Sequence, residues 1–305
     1  MAIFKLLTTF PTLARYGHAG VVFNNRIIIS GGYTGSAYLN DVWETVDGTH
    51  WNKLADGANS FSARAYHKMV VHDNCIYLVG GTNGGGLQDV WMSRDGTKWD
   101  RVTANAGFGA RFSHNLWSIN DRLYMCGGYN LVTYFNDIWS SRDGVSWTRE
   151  NNGYARNART SAGSVVYDNK MWVLGGYDGV ALQDDSLWSV EGREWRDGDL
   201  TAYFGALNLH AAEVFDNKMV VLGGNRSATR SSPTTVNKAL FYSYTGTEWY
   251  LGSSDVGFSI QEHVMLALKN PHRLYVIFGS NGSAATGQIW VTEGVEFKDN
   301  ILTSW

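Results

Sequence analysis

The stretch RLYMCGGYNLVTYFNDIWSSRDGVSW, residues 122–147, contains the pattern that decides the fold. An apolar run ends in a glycine pair, Gly127-Gly128, and a second run carries Trp139 before Asp143-Gly144 and Trp147. Short apolar runs bounded by Gly, Asn and Asp are typical of β-strands joined by turns. The stretch therefore predicts two strands and the start of a third.

The same pattern recurs along the whole chain. The glycine pairs are Gly31-Gly32, Gly80-Gly81, Gly127-Gly128, Gly175-Gly176, Gly223-Gly224 and a degraded sixth copy, Gly279-Ser280. Their first residues are 49, 47, 48, 48 and 56 positions apart. Each pair follows an apolar run that begins after an Asn or Asp turn, and each precedes a run with an aromatic residue: Trp43, Trp91, Trp139, Trp188, Phe241 and Trp290. A period near 50 with these features indicates a β-propeller.

The glycine pair, the aromatic after it and a second aromatic seven or eight residues later recur together, which resembles the kelch-repeat family, with kelch or galactose-oxidase-type blades. The resemblance implies an all-β, six-bladed β-propeller of four-stranded antiparallel blades in one domain, residues 1–305. We label the strands of each blade a to d in chain order. The predicted repeats are 15–57, 64–105, 111–153, 159–200, 207–252 and 260–297. Segments around Phe4 and Phe297 compete for the last d strand, and we favour residues 2–8, which close the ring by pairing the chain ends.

Asp143-Gly144 permits a second interpretation, because the sialidase Asp-box reads S-x-D-x-G-x-x-W. The spacing in this chain is one residue shorter, and Asp47-Gly48 and Asp95-Gly96 recur at the same place in two other repeats. Asp-Gly between apolar-aromatic runs is a strong hairpin signal. We therefore predict a turn here and no catalytic motif.

Composition narrows the functional classes. The net charge is −3, which indicates neither nucleic acid nor an anionic membrane as a partner. No apolar run approaches the ~18 residues of a membrane span, and no secretory signal is visible. Cys75 and Cys126 lie in strand-like runs, which predicts buried, unreactive thiols in a reducing compartment or a virion. We expect a cytoplasmic or virion protein, viral or bacterial, without a cofactor or membrane insertion; the oligomeric state stays open.

Arginine and tyrosine suggest a binding face. The longer d–a and b–c connections share one face of a propeller, and long loops on a rigid scaffold carry binding residues. In eukaryotic kelch adaptor proteins, Arg and Tyr at matching positions line a pocket for acidic peptides, and guanidinium groups suit carboxylates. The resemblance points to Arg15, Arg64, Arg111, Arg159, Tyr33, Tyr129 and Tyr177. The alternative is that each Arg bonds loop carbonyls and ties its blade to the next, and this alternative stays open.

The fifth repeat has the longest b–c loop, residues 225–239, with Asn225, Arg226 and Arg230 on the same predicted face. We interpret it either as a lid or specificity loop or as a floppy insertion. Asn225 follows a glycine pair, as the three tyrosines do.

Histidine follows the Arg position by three in five repeats, at His18, His67, His114, His210 and His263. Six-fold spacing around a wide axis does not bring four ligands within ~2.1 Å of one ion, so we predict hydrogen bonding between blades and no metal site. Three residues further, Glu213 replaces an apolar strand residue. It is the one catalytic candidate, as a general acid or base; otherwise it is a channel residue or part of an ion pair.

Two functional hypotheses follow. The first is a non-enzymatic recognition propeller that binds an acidic protein segment or an anionic glycan on the Arg/Tyr face, as an intracellular adaptor or as a phage adsorption or decoration protein. The second is an enzyme acting on an acidic sugar, similar to the sialic acid mutarotases that use kelch propellers, with Glu213 and an Arg as the working pair.

Overall fold

The computed structural model describes residues 4–10, 13–55, 60–151, 158–199, 202–227 and 235–292. Their strands form six separate sheets, each of four antiparallel strands. In five sheets the strands follow chain order, and in the sixth the first strand of the chain completes the edge. This confirms the predicted six-bladed, all-β propeller.

Twenty-four strands lie in the described residues. The first twelve are β1 (Phe4–Thr9), β2 (Ala19–Phe23), β3 (Arg26–Ser30), β4 (Val42–Thr45), β5 (Asn52–Ala55), β6 (Lys68–His72), β7 (Cys75–Val79), β8 (Val90–Ser93), β9 (Asp100–Thr103), β10 (Asn115–Ile119), β11 (Arg122–Cys126) and β12 (Ile138–Ser141). The others are β13 (Thr148–Asn151), β14 (Gly163–Tyr167), β15 (Lys170–Tyr177), β16 (Leu182–Ser189), β17 (Arg196–Asp199), β18 (Ala211–Phe215), β19 (Lys218–Leu222), β20 (Leu240–Ser243), β21 (Tyr250–Ser253), β22 (Val264–Lys269), β23 (His272–Ser280) and β24 (Ala285–Thr292).

The a strands surround a central axis. β2 contacts β6, and the contacts continue through β10, β14, β18 and β22 back to β2. Six buried apolar clusters fill the spaces between adjacent blades, one per interface; the cluster between the first two blades contains Val21, Phe61 and Trp99. Since each core is shared by two blades, no blade can bury its own apolar faces alone.

The N-terminal strand closes the ring, as predicted. β1 pairs antiparallel with β24, with Phe4 opposite Thr292 and Leu6 opposite Trp290. Phe4 is buried and contacts Phe258 edge-on, with ring centroids 5.8 Å apart. Phe297 lies outside the described residues.

The two kinds of hairpin differ. Five a–b turns are two-residue turns with both residues in the left-handed region, as the Asn and Asp residues predict: Asn24-Asn25, Asp73-Asn74, Asn120-Asp121, Asp168-Asn169 and Asp216-Asn217. The c–d connections are longer than the predicted tight hairpins. Residues 142–147 form one of them, in which Asp143 Oδ1 accepts hydrogen bonds from the backbone of Val145 and Ser146, and Trp147 Nε1 donates to Gly144 O. Asp143-Gly144 thus shapes a loop, and every one of these contacts is structural.

Two repeat positions differ from the sequence alignment. In the sixth blade, the residues with positive φ are Phe278 (52°) and Gly279 (117°), so the pair equivalent to Gly31-Gly32 is Phe278-Gly279 and not Gly279-Ser280. In the fourth blade, Leu187 lies opposite Val173 as Trp43 lies opposite Ile29, so Trp188 is offset by one residue. Both shifts follow hydrogen-bond register, which a residue-type alignment does not see.

The second glycine of each pair links its blade to the next. Its amide donates to the carbonyl of the residue at the Arg position of the following blade, over 2.7–2.9 Å, and the sixth bond returns to the first blade. The six bonds are Gly32 to Arg64, Gly81 to Arg111, Gly128 to Arg159, Gly176 to Leu207, Gly224 to Ile260 and Gly279 to Arg15. The described part of the chain contains no helix long and apolar enough to cross a membrane.

We expect removal of residues 1–9 to lower the melting temperature sharply. The deletion exposes the edge of β24 and the core under Phe4, and a large-to-small change at a buried Phe alone costs about 3–5 kcal/mol. Differential scanning calorimetry of the truncated chain checks this. Deletion of residues 293–305 is the control, since β1 already occupies the outer edge of β24; an unchanged melting temperature in the first variant would contradict closure by β1.

Candidate functional site on the loop face

The four predicted arginines are buried in ion pairs. Each guanidinium binds an aspartate of its own blade through two nitrogen–oxygen contacts of 2.5–3.0 Å and also donates to the carbonyl of the first glycine of the pair. The side chains are 0–1% exposed. The pairs are Arg15–Asp41, Arg64–Asp89, Arg111–Asp137 and Arg159–Asp185.

The aspartates of these pairs are bound by the arginines. Burial alone raises the pKa of Asp41, but hydrogen bonding and charge from Arg15 outweigh it and hold the pKa below its usual value; Asp89 behaves in the same way beside Arg64. Trp43 Nε1 also donates to Asp41, over 2.7 Å. The guanidinium groups therefore face inward, which differs from the predicted open Arg face and favours the architectural alternative. Their side-chain hydrogen bonds to the aspartates and glycines stay within one blade, and their backbone reaches the preceding blade: all four carbonyls accept from a glycine there, and the amides of Arg64 and Arg111 donate to Leu39 O and Leu87 O.

A second ring of backbone hydrogen bonds surrounds the mouth of the central channel. We call its six members the channel ring: Gly17, Tyr66, Ser113, Ser161, Leu209 and Glu262. Each amide donates to the carbonyl of the member in the preceding blade, over 2.6–3.0 Å. All six have φ between 53° and 62°, which costs a non-glycine residue about 1–2 kcal/mol. Strain of this kind clusters at functional sites, so the ring marks a candidate site.

Tyr66 and Glu262 bridge the channel ring. Gly17 lies between them in the ring, and a Cβ on Gly17 would come within 2.7 Å of the Tyr66 ring. The missing side chain lets Tyr66 lie over Gly17, and its hydroxyl donates to Glu262 Oε1 over 2.8 Å. Both side chains are partly exposed and face a cavity outside the ring.

This loop-face cavity has a volume of about 320 Å³ and lies over the sixth and first blades. Tyr16 and Tyr66 contribute aromatic surface to its wall, while Gln261, Glu262 and Ser280 contribute polar groups. Its rim comes from two b–c loops of small residues: Thr34, Gly35, Gly282, Ser283, Ala284 and Ala285. A polar cavity of this size accommodates a small organic ligand.

The predicted tyrosines lie on the same face in aromatic clusters. Tyr33 packs against Tyr16 and Tyr38, with ring centroids 5.6 and 4.8 Å apart. Tyr134, which the sequence analysis did not select, stacks on Tyr129 at 4.3 Å and packs edge-on against Tyr177 at 5.7 Å. These rings are half-buried, so their free edges remain on the loop face.

The three predicted residues of the fifth b–c loop differ in their positions. Asn225 is fully buried: its Nδ2 donates to Gln261 Oε1, and its Oδ1 accepts from Thr235 Oγ1, each over 2.7 Å. It anchors the loop and supports the cavity wall from behind. Arg226 is exposed and donates to Phe204 O over 3.0 Å. Arg230 lies outside the described residues.

The five histidines form a buried belt below the channel ring. Each is at most 8% exposed, and the His67 ring packs against Gly31 of the preceding blade, while its Cβ lies against Gly81 of its own blade. Burial holds the pKa of His67 and His114 well below 6.5 and lowers the pKa of His210 to about 4. The belt is thus uncharged at neutral pH. Among the described residues, no group of three His, Cys, Asp or Glu side chains is placed to hold a metal ion.

Glu213 lies on β18, opposite Val220. Its Oε1 accepts the backbone amide of Val214 over 2.8 Å, and a second backbone bond comes from Ala267. Burial raises the pKa of Glu213 to about 7. It does not line the loop-face cavity.

Sequence reasoning missed the channel ring, and with it Tyr66 and Glu262. Each member directly precedes the histidine position, and the six repeats carry five different residue types at the ring position. That variability within an otherwise regular repeat was the available signal. The backbone of this position bonds the neighbouring blades, so its side chain can differ between blades.

Residues 14–44, 63–92 and 158–198 match the family model of the Kelch motif. These segments cover strands of the first, second and fourth blades. Together with the six four-stranded blades, they identify the chain as a kelch-repeat β-propeller.

A solved structure titled "Structure of YjhT" has the same fold, with a TM-score of 0.75 over 97% of this chain and 98% of that chain. The two sequences are 16% identical, so the likeness concerns the fold alone. Altogether 637 solved chains match, and a shared fold does not by itself imply a shared function. No curated protein matches the sequence.

We expect Arg111→Ala to destabilise the protein by about 3–5 kcal/mol, because Asp137 is left buried without its counter-charge. The double variant Arg111→Leu/Asp137→Ala leaves no buried charge and places at position 111 the leucine that the fifth blade carries as Leu207, so it should cost less than the single change. Urea unfolding of the three proteins measures the difference. A single variant as stable as the wild type would show that Arg111 has no architectural role.

We expect Glu213→Gln to stabilise the protein at alkaline pH. A carboxyl group with a folded pKa of about 7 and an unfolded pKa near 4.5 adds stability below pH 4.5 that is lost as the pH rises through 7. Glutamine does not ionise, so the variant should gain up to about 3 kcal/mol over the wild type at pH 8 and nothing at pH 4. Equal stability differences at both pH values would contradict the raised pKa.

Proposed function

We propose that this chain is a non-enzymatic recognition propeller that binds a carbohydrate in the loop-face cavity. The observation that carries the proposal is the cavity itself: about 320 Å³, open on the loop face, with two tyrosine rings and the side chains of Gln261, Glu262 and Ser280 in its wall. Its position at the channel mouth, next to strained backbone, supports a binding role.

The chemistry of the wall suits a sugar ring. The faces of Tyr16 and Tyr66 offer apolar surface to the C–H side of a pyranose, and their hydroxyls offer polar edges. A carboxylate such as Glu262 accepts hydrogen bonds from two neighbouring hydroxyl groups, and Ser280 both donates and accepts. The small rim residues leave room for a chain of further sugar units to leave the cavity.

The charge of the wall bears on the ligand. The predicted acidic ligand depended on four open arginines, and these are neutralised inside their blades. The charged group that lines the cavity is the carboxylate of Glu262, so we propose a neutral or amino sugar. Binding of an acidic segment or an anionic glycan stays a prediction. A glycan ligand favours the role of a phage adsorption or decoration protein over that of an intracellular adaptor.

A second candidate is an enzyme acting on an acidic sugar. The observation in its favour is Glu213, since a pKa of about 7 suits a general acid or base at neutral pH. It accepts hydrogen bonds from the backbone amides of Val214 and Ala267, and it lies in a strand away from the loop-face cavity. We therefore rank it second; loss of a sugar-converting activity in Glu213→Gln would raise it to first.

A glycan array with neutral, amino, sialylated and uronic-acid sugars tests the proposal. Ser283→Trp should block the cavity from its exposed rim, and Glu262→Gln should remove the charge while keeping the shape; we expect each to weaken binding at least about tenfold. Val180→Trp is the matched control, since Val180 holds the equivalent exposed place in the b–c loop of the fourth blade.

Unchanged binding in Ser283→Trp and Glu262→Gln would refute the cavity as the site. Binding restricted to acidic glycans, weakened by salt and by loss of Arg226, would instead support the prediction of an acidic ligand.

A further inference from the structure

A second cavity, which we call the channel cavity, lies on the central axis at the level of the channel ring and has a volume of about 70 Å³. Its wall is polar on several sides: Tyr66, Ser113, Ser161 and Glu262 come from the ring, and Lys68 and four of the five belt histidines lie beside them. A cavity needs about 10–15 Å³ to hold one water molecule, so this cavity has room for solvent or a small ion.

Lys68 contributes a positively charged side chain to the wall of the channel cavity. It begins β6, directly after His67, and its positive charge acts on His67, His114 and His210 by lowering their pKa values. Among the described residues, no ion pair joins a carboxylate to its ammonium group within 4.0 Å, whereas Lys98, Lys170, Lys218 and Lys238 each have one. Lys68 is half-buried, and the partial loss of solvent around its ammonium group lowers the pKa of Lys68.

A second, independent feature is a set of buried polar atoms without hydrogen-bond partners. Ser113 is 6% exposed and lines the cavity, and its Oγ has no partner. The imidazoles of His18 and His263, which also line the cavity, have no partner at either ring nitrogen. Buried polar atoms in proteins normally have a hydrogen-bond partner, so we expect solvent or an ion in the channel to bind these atoms.

The only carboxylate in the wall is already engaged. Glu262 accepts the Tyr66 hydroxyl over 2.8 Å, and the two side chains line both the channel cavity and the loop-face cavity. The neutral histidine belt adds polar atoms but no negative charge. The Glu262 carboxylate thus binds Tyr66 and forms no ion pair with Lys68, so the Lys68 ammonium has no paired counter-charge in the wall.

We propose that the channel cavity binds one small inorganic anion of halide size, held by the Lys68 ammonium and the Ser113 hydroxyl. The anion supplies the missing counter-charge and joins side chains of the second and third blades at the axis. It acts as a structural ion, separate from the ligand of the loop-face cavity.

Thermal unfolding in sodium chloride, sodium bromide and sodium gluconate at equal ionic strength tests the proposal. Chloride and bromide should raise the melting temperature of the wild type with the logarithm of their concentration, and gluconate, which is too large for the cavity, should not. Lys68→Met should abolish the difference between the salts. Lys269→Met, at the exposed end of β22, is the control and should behave as the wild type.

Crystals grown in sodium bromide provide the direct measurement, and they do not depend on a variant that folds. An anomalous bromide peak in the channel beside Lys68 supports the proposal. Its absence, or the same halide dependence in Lys68→Met as in the wild type, overturns it. Neither outcome changes the expected result of the glycan array, so failure of the anion proposal leaves the proposed function intact.

Discussion

The structure depends on an exchange of backbone hydrogen bonds between adjacent blades. At each interface one amide, from the second glycine of a pair, donates forward, and one amide of the channel ring donates backward. Both bonds require left-handed backbone: the glycine pairs provide it without a steric cost, and the non-glycine ring members accept a strain. Because both sets close on themselves, the ring of blades is fixed at six, and the inter-blade cores of tryptophan and aliphatic side chains pack around them.

The buried Arg–Asp pairs serve this exchange. Each guanidinium joins the start of an a strand to the end of the b strand and the start of the c strand of its blade, and so it orients the carbonyl that the preceding glycine amide uses. The arginine charges that recur in four blades therefore stabilise the fold. What distinguishes this propeller from others of its fold must come from positions that vary between blades.

The variable positions gather at the channel mouth. Gly17, Tyr66 and Glu262 occupy equivalent positions in three blades. Gly17 has no side chain, so the Tyr66 ring lies over it, and the Tyr66 hydroxyl donates to Glu262. The loop-face cavity and the channel cavity share Tyr66 and Glu262 in their walls. Lys68 is a further departure from symmetry, since its charge lies next to a histidine belt that burial keeps neutral. A regular scaffold thus acquires two different cavities from a few irregular residues.

The sequence by itself determined the six blades, the ring closure through Phe4 and the left-handed a–b turns, because strand length, glycine pairs and Asn/Asp turns are local signals that recur in at least five of the six blades. It also identified the arginines as special, but residue type cannot tell an arginine that binds a ligand from one that binds Asp137 twenty-six residues away. The registers of Phe278 and Leu187 were likewise beyond it, since register is decided by the neighbouring strand. Only the tertiary structure brought Tyr66 to Glu262, 196 residues further along the chain, because the closed ring makes the second and sixth blades neighbours across the width of the first.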